Sequence, residues 1–184
     1  SNANSRREHR PWCRHRSATT ENVVPIALSR SLTTQGVVLR LPPQLTIGDS
    51  LAAPSLCAAI LLGLREVLGG DPDHLNIIST VDPVLSDGGE NVDSLLIHDS
   101  VPGGTGYLAE LADPDKIRDL LTRAWVIVRD CACKAEGRAA CHRCVLPFAP
   151  GGNVDFVSRA SAERSLARLL GVASDGDARP WNVV

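Results

Sequence analysis

The stretch CACKAEGRAACHRC, residues 131–144, most constrains what this chain can fold into. It holds four cysteines as two close pairs, C-x-C and then C-x-x-C, joined by a short loop. Four thiolates at about 2.3 Å form the tetrahedron that Zn²⁺ prefers in structural sites. The alanines and glycine between the pairs offer little to pack, so a metal would supply the fold there. The spacing therefore predicts a structural zinc module with the ligands Cys131, Cys133, Cys141 and Cys144.

Other uses of four neighbouring cysteines fit the sequence less well. Disulfides are disfavoured in a reducing compartment, and the spacing matches neither common ferredoxin pattern of iron–sulfur ligation. A catalytic zinc needs an open coordination position, which four thiolates would close. His142 lies inside the second pair and could replace one ligand, although both flanking cysteines are the favoured set. We interpret Cys13 as a free thiol and Cys57 as a small core residue.

The composition is that of a globular protein with one core. The chain has 184 residues, of which 43% are hydrophobic and 22% charged, which suffices for one domain. A formal net charge of -2 excludes a surface that attracts nucleic acid everywhere, so any such contact must be a local patch. The sequence shows no signal peptide and no apolar run long enough to span a bilayer, which predicts a cytoplasmic protein without a membrane partner.

The character of the sequence changes along the chain. Residues 1–3 are typical of the remnant of a cleaved tag, and the absence of Met indicates a segment cut from a longer protein. Residues 4–29 are polar, Arg-rich and without periodicity, which predicts a basic arm or linker. We expect a single domain over residues 30–171, with the zinc module near its C-terminal end. Residues 172–184 are predicted to form a flexible tail.

Apolar segments bounded by turn residues predict the elements of this domain. GVVLRLP, HLNIISTVDP and VDSLLIHD are typical of strands, the second of them buried, and the polar VLSDGGEN separates the last two. A buried helix begins near Pro54 and ends at Gly69, and the last helix covers roughly Ser158 to Leu170. Between them, residues 113–129 show helical periodicity after Asp113 as N-cap. The order predicts an α/β or α+β fold, a small sheet covered by helices.

The segment HDSVPGGTGYLAEL, residues 98–111, joins a strand to a helix through a glycine turn, residues 103–106. Its glycines fit the G-x-G-x-x-G/A spacing of dinucleotide-binding loops, so a nucleotide or phosphate site is an alternative function. Residues 113–129 are helical, however, and leave no strand to present an acid to a ribose. A structural turn is favoured, with the Asp99 carboxylate capping its backbone donors. The candidate ligand residues under the alternative are Asp99, Gly103, Gly104 and Gly106.

The strand GVVLRLP, the buried helix, the segment LLIHDSVPGGTGYLAEL and the C-x-C…C-x-x-C ending resemble the MrfA-type zinc-binding domain over about residues 30–150. This domain occurs at the C-terminus of DEAD/DEAH-box DNA helicases and of related defence-system proteins. The resemblance implies zinc binding by the same four cysteines, and a motor with its ATP-binding motifs lying N-terminal to this segment. The chain departs from the family where CHRC replaces the C-P-x-C expected of the second pair.

These observations predict a non-catalytic, zinc-binding accessory domain of an ATP-dependent DNA helicase, serving DNA repair or defence. No Walker-type motif is present, so we expect no nucleotide hydrolysis by this segment. Its partners would be the N-terminal motor of the parent chain and DNA, or the motor alone if the domain is purely an interaction module. Cations near the cysteines are the candidate phosphate contacts: Arg129, Lys134, Arg138, Arg143 and Arg159.

Overall fold

The computed structural model describes Trp12, Ala27, Ser29 and residues 31–81 and 93–172. The chain divides into two units, Ser1–Ser31 and Leu32–Val184, and every element described below belongs to the second. The expected tag remnant, most of the basic arm with Cys13, the polar loop VLSDGGEN and the tail beyond Val172 lie outside the described residues.

Three strands form one antiparallel sheet. They are β1 (Gly36–Arg40), β2 (Leu75–Val81) and β3 (Asp93–Asp99). The strand order is β1-β3-β2, so β3 is central, and Leu96 lies opposite Val38 on one side and Ile78 on the other. Because both pairings are antiparallel, the domain is α+β, which decides between the two fold classes that the sequence left open.

The described domain also contains four α-helices. They are α1 (Ala52–Leu68), α2 (Tyr107–Glu110), α3 (Pro114–Arg129) and α4 (Arg159–Leu169). Short 3₁₀ turns occupy Pro43–Leu45, Ala132–Lys134, Leu146–Phe148, Pro150–Gly152 and Val154–Phe156. The predicted boundaries are close to those observed, since α1 ends at Gly69 in the left-handed conformation and Ser158 caps α4. The small sheet with helices that the sequence predicted is confirmed.

One hydrophobic core joins the sheet to the helices. Leu95 and Ile97 of β3 belong to it together with Leu56 and Ile60 of α1. α3 approaches α1 closely at Gly63, where an added Cβ would lie 3.0 Å from the Leu120 carbonyl oxygen and 3.0 Å from the Ala124 Cβ. Glycine is therefore the residue that allows these two helices to pack at this distance.

The burial predicted for the second strand is wrong for most of β2. Leu75 is buried, but Ile78 is 48% exposed and Val81 is 39% exposed. Within the described part of the chain β2 pairs only with β3, and alternate side chains of a strand point to opposite faces. An apolar sequence therefore does not make this edge strand a buried one.

Candidate metal centre

The candidate metal centre begins immediately after α3. The helix ends at Arg129, Cys131 follows in extended conformation, and a 3₁₀ turn over Ala132–Lys134 carries Cys133. The chain reverses at Gly137, whose φ is 67°, and returns to the second pair of cysteines. The backbone N–H of Arg138 donates to the Cys133 carbonyl at 3.1 Å, which closes the first turn. Two turns of the backbone thus bring distant sulfurs together.

The four Sγ atoms lie at the corners of a small tetrahedron. Their separations are 3.4 Å for Cys131–Cys133, 3.5 Å for Cys131–Cys141, 3.7 Å for Cys141–Cys144 and 3.8 Å for Cys133–Cys144. All four sulfurs lie within 4.8 Å of one another. A regular tetrahedron with Zn–S distances of about 2.3 Å has S–S edges of about 3.8 Å. The donor set therefore fits one Zn²⁺, whereas a disulfide would need a separation near 2.05 Å.

Backbone amides support the second pair of sulfurs. The N–H of Cys141 donates to the Cys144 Sγ at 3.2 Å, and the N–H of Arg143 donates to the Cys141 Sγ at 3.4 Å. Such hydrogen bonds stabilise a negatively charged thiolate and fix its orientation toward a metal. His142 is exposed and does not belong to the sulfur cluster, so the chain uses both cysteines that flank it. These amide contacts could not be read from the spacing.

Comparison with known families agrees with this geometry. Residues 56–145 match the family model described as the MrfA Zn-binding domain. This segment is similar to that family. The match begins inside α1 and ends one residue after Cys144, so it includes all four ligands. The resemblance predicted from the sequence is confirmed over this range. No curated protein and no solved structure matches the chain.

Cys131, Cys133, Cys141 and Cys144 are thus positioned to hold a structural Zn²⁺. Burial raises the pKa of the Cys133 and Cys144 thiols. Burial also acts to raise the pKa of Cys141, but the Arg143 amide and the neighbouring cysteines outweigh it and lower that pKa to about 7. Cys141 is therefore ready to lose its proton near neutral pH. A bound Zn²⁺ would favour the thiolate form of the other three cysteines, so binding would be accompanied by proton release.

The zinc module is anchored in the hydrophobic core of the domain. The side chains of Cys133 and Cys144 are buried, and the neighbouring Ala140 and Val145 join the same core. A structural ion at this position fixes the chain between α3 and α4, two helices that pack against each other. The physical role of the metal is to hold a loop that has too few apolar side chains to hold itself.

The structure corrects the expected position of Arg159. The sequence predicts a phosphate contact at this residue, but its side chain is only 7% exposed. Its guanidinium donates to the Val128 carbonyl at 3.2 Å and pairs with Glu163, and its backbone N–H donates to the Ala139 carbonyl at 2.7 Å. Glu163 also binds Lys134 Nζ at 3.0 Å. Arg159 therefore joins α4 to the zinc module and to the end of α3, and it is not available to a phosphate.

The other expected phosphate contacts differ in their partners. Arg129 makes two hydrogen bonds of 2.7 Å to Asp130 and also lies 4.4 Å from the centre of the Trp125 ring. Arg138 pairs with Glu136 at 2.9 Å. Arg143 is exposed, and no carboxylate in the described ranges lies within ion-pair distance of it. Of the expected cations, Arg143 is the one whose charge is least offset by a neighbour.

The glycine turn uses its polar groups within the chain. The buried Asp99 carboxylate accepts hydrogen bonds from the Val101 N–H at 2.8 Å, the Thr105 N–H at 2.7 Å and the Thr105 hydroxyl at 2.5 Å. The N–H of Gly103 donates to Thr33, and the N–H of Gly104 donates to Val101. A phosphate here would find these N–H donors already hydrogen-bonded and would be repelled by the Asp99 carboxylate. The structure therefore favours a structural turn over a nucleotide-binding site.

Backbone conformation explains why this turn is rich in glycine. Gly103, Gly104 and Gly106 all have φ between 78° and 87°, a region that side chains disfavour. At Gly104 an added Cβ would also lie 2.7 Å from the Gln35 side chain. The spacing that resembles a dinucleotide-binding loop is thus required by a tight turn capped by Asp99.

None of the helices in the described ranges has the length and apolar character that crossing a membrane requires.

Proposed function

We propose that this chain is a non-catalytic, zinc-binding accessory domain of an ATP-dependent DNA helicase, acting in the cytoplasm in DNA repair or defence. The observation that carries the proposal is the match of residues 56–145 to the MrfA Zn-binding domain, together with the four-sulfur site within that match. The resemblance to domains at the C-terminus of DEAD/DEAH-box helicases supports a motor on the N-terminal side. A reducing compartment keeps the four thiols available for metal.

The coordination shell supports a role without catalysis. Catalytic zinc keeps one position for water or substrate, whereas four protein thiolates fill a tetrahedral shell. The pair Cys133 and Cys144 is also buried, which keeps that side of the ion away from solvent. The domain would therefore contribute shape and rigidity, and the motor would supply ATP hydrolysis.

The zinc module is the part of the domain best placed to meet a DNA strand. The half-buried Arg129 at the end of α3 and the exposed Lys134, Arg138 and Arg143 could contact phosphates, but the first three already pair with carboxylates. Arg143 therefore carries most of the expected attraction. Binding through so few charges would be weak, dependent on salt and indifferent to sequence. The runner-up is an interaction module that docks on the motor and does not touch DNA.

A test in the full-length parent protein separates these roles. Arg143→Glu should reduce DNA unwinding about tenfold and leave ATP hydrolysis within about twofold, because only the strand contact is reversed in charge. Arg168→Glu in α4, an exposed arginine outside the zinc module, is the matched control and should change neither rate.

Deletion of residues 32–172 should abolish unwinding. If the deletion abolishes unwinding and Arg143→Glu has no effect, the domain docks without guiding the strand. If the deletion leaves unwinding intact, the accessory function is wrong.

A further inference from the structure

A groove with an apolar floor lies on the domain where α1, α2 and α3 meet. Its volume is about 340 Å³. Val67 near the end of α1, the Tyr107 ring, Leu111 and Leu120 provide the apolar surface. Leu111 and Leu120 are buried and Val67 is 42% exposed, so the floor is continuous with the core while its edge remains open to solvent. We call this feature the acidic groove, for the charges at its rim.

The rim carries more negative than positive charge. The carboxylates of Glu110, Asp115 and Asp119 line the groove with the single ammonium group of Lys116, which leaves two net negative charges. Lys116 Nζ is held by Glu110 at 2.8 Å and does not extend freely into solvent. Asp115 has no ion-pair partner in the described ranges. The groove thus concentrates as much net charge as the whole 184-residue chain carries.

Neighbouring charges do not cancel this excess. Arg123 pairs with Asp119 at 2.8 Å, while Asp113 adds a carboxylate close enough to raise the pKa of Lys116. These two charges offset each other, and Arg118, about one helical turn after Asp115, adds one positive charge, so one net negative charge remains. The field at the groove mouth is therefore negative.

The combination of floor and rim selects one chemical class of partner. A negative rim repels phosphate, so nucleic acid and anionic lipid are disfavoured. The apolar floor requires an apolar side chain, and the rim favours cations on either side of it. We propose that the acidic groove is a docking site for a protein segment in which Leu or a similar residue is flanked by Arg or Lys. This inference goes beyond the accessory function, because it does not depend on zinc, on DNA or on the identity of the motor.

Synthetic peptides test this assignment on the full 184-residue chain. The probe is a fluorescein-labelled peptide of alternating Arg and Leu with terminal glycines, and its controls replace either every Arg by Glu or every Leu by Ser. We expect binding of the Arg/Leu peptide alone, measured by fluorescence anisotropy at physiological salt. Binding of the Arg/Ser peptide with equal affinity would show bare charge attraction and overturn the proposal.

Neutralising the rim supplies the matched comparison in the protein. The triple variant Glu110→Gln, Asp115→Asn, Asp119→Asn should weaken binding at least about tenfold. The control variant Asp71→Asn, Asp73→Asn, Glu136→Gln removes the same charge outside the groove and should change affinity less than about twofold. All six residues are exposed, and unchanged zinc content and melting temperature verify the fold.

Three further results bear on the proposal. Val67→Ser should weaken binding about threefold by removing part of the floor. Equal losses in the two triple variants would overturn the proposal, since the site would then be the net charge of the chain. Self-association that the triple variant abolishes, without peptide binding, would make a second copy the occupant and overturn it as well.

Discussion

The zinc module and the glycine turn are the two segments of this chain whose sequences most resemble ligand sites, and their structures differ in where the polar atoms find partners. In the zinc module, neighbouring sulfurs lie 3.4 to 3.8 Å apart, and all four lie within 4.8 Å of one another. In the glycine turn, the Asp99 carboxylate already occupies the donors that a phosphate would need. Four thiols that face one another need a metal ion to bind them, whereas a carboxylate surrounded by N–H and O–H donors has its hydrogen bonds satisfied within the chain.

Loss of one thiolate should have the largest effect on zinc content and melting temperature. Cys144→Ser removes a buried ligand, and because structural zinc contributes about 10 kcal/mol or more to small domains, most of the stability should be lost with the metal. We expect less than about a fifth of the wild-type zinc and a fall of the melting temperature by more than about 10 °C. Cys57→Ala is the matched control, a cysteine outside the cluster, and should keep its zinc. Full zinc content in Cys144→Ser would contradict the ligand assignment.

Removing the carboxylate of the glycine turn should have a smaller effect. Asp99→Ala leaves the Val101 and Thr105 amides without their acceptor, and unsatisfied donors in a buried turn destabilise the fold. The melting temperature should fall by about 5 °C while zinc content stays the same. Asp71→Ala, which alters an exposed carboxylate 4.0 Å from Arg65, should change it by less than about 2 °C. A loss of zinc in Asp99→Ala would mean that the two regions are not independent.

The stabilisation by Asp99 should depend on pH, and this dependence measures the contribution of the charge on its carboxylate. The Thr105 hydroxyl and two amides lower the pKa of Asp99, so the folded protein binds this proton more weakly than the unfolded chain. Asp99 then stabilises the fold above the unfolded pKa of about 3.9, and this contribution disappears as the pH falls through the lower folded pKa.

Urea midpoints of wild type and Asp99→Asn should therefore differ by a constant amount above about pH 5 and converge in acid. Zinc release in acid affects both proteins alike, so the difference isolates Asp99. A difference that grows toward pH 3 would reverse the sign and refute the explanation.

Added nucleotides should have the smallest effect on the melting temperature, because the backbone N–H donors of the glycine turn already have acceptors within the chain. ATP, GTP or inorganic phosphate at millimolar concentration should raise the melting temperature by less than about 1 °C. Zinc added back to chelator-treated protein provides the positive control, with a rise of more than about 10 °C. A nucleotide-dependent rise of several degrees would restore the ligand site that the turn geometry argues against.

Local chemistry explains what could be predicted from the sequence. Ligand spacing within residues 131–144, the N-cap Asp113 and the glycine stop after α1 all act over a few residues, so each is readable in a short window. The role of Asp99 as a cap followed in the same way from its position before the turn.

Contacts between distant segments explain what could not be predicted. The apolar residues of β2 do not reveal that it is an edge strand, because the sheet order depends on pairing with β3. Arg159 reads as one more exposed arginine of an amphipathic helix until Val128 and Ala139 are seen to surround it. The acidic groove combines the end of α1 with α2 and α3, more than 35 residues further along the chain. The hydrophobic periodicity of a sequence does not predict such contacts between distant segments.

Metal content per chain, measured by plasma mass spectrometry alongside thermal melting with and without a strong chelator, tests the central claim most directly. The geometry of the four sulfurs predicts about one zinc per chain and a large loss of stability on chelation. A folded chain without zinc, or one that holds iron in its place, would contradict the zinc module and the family-based function built upon it.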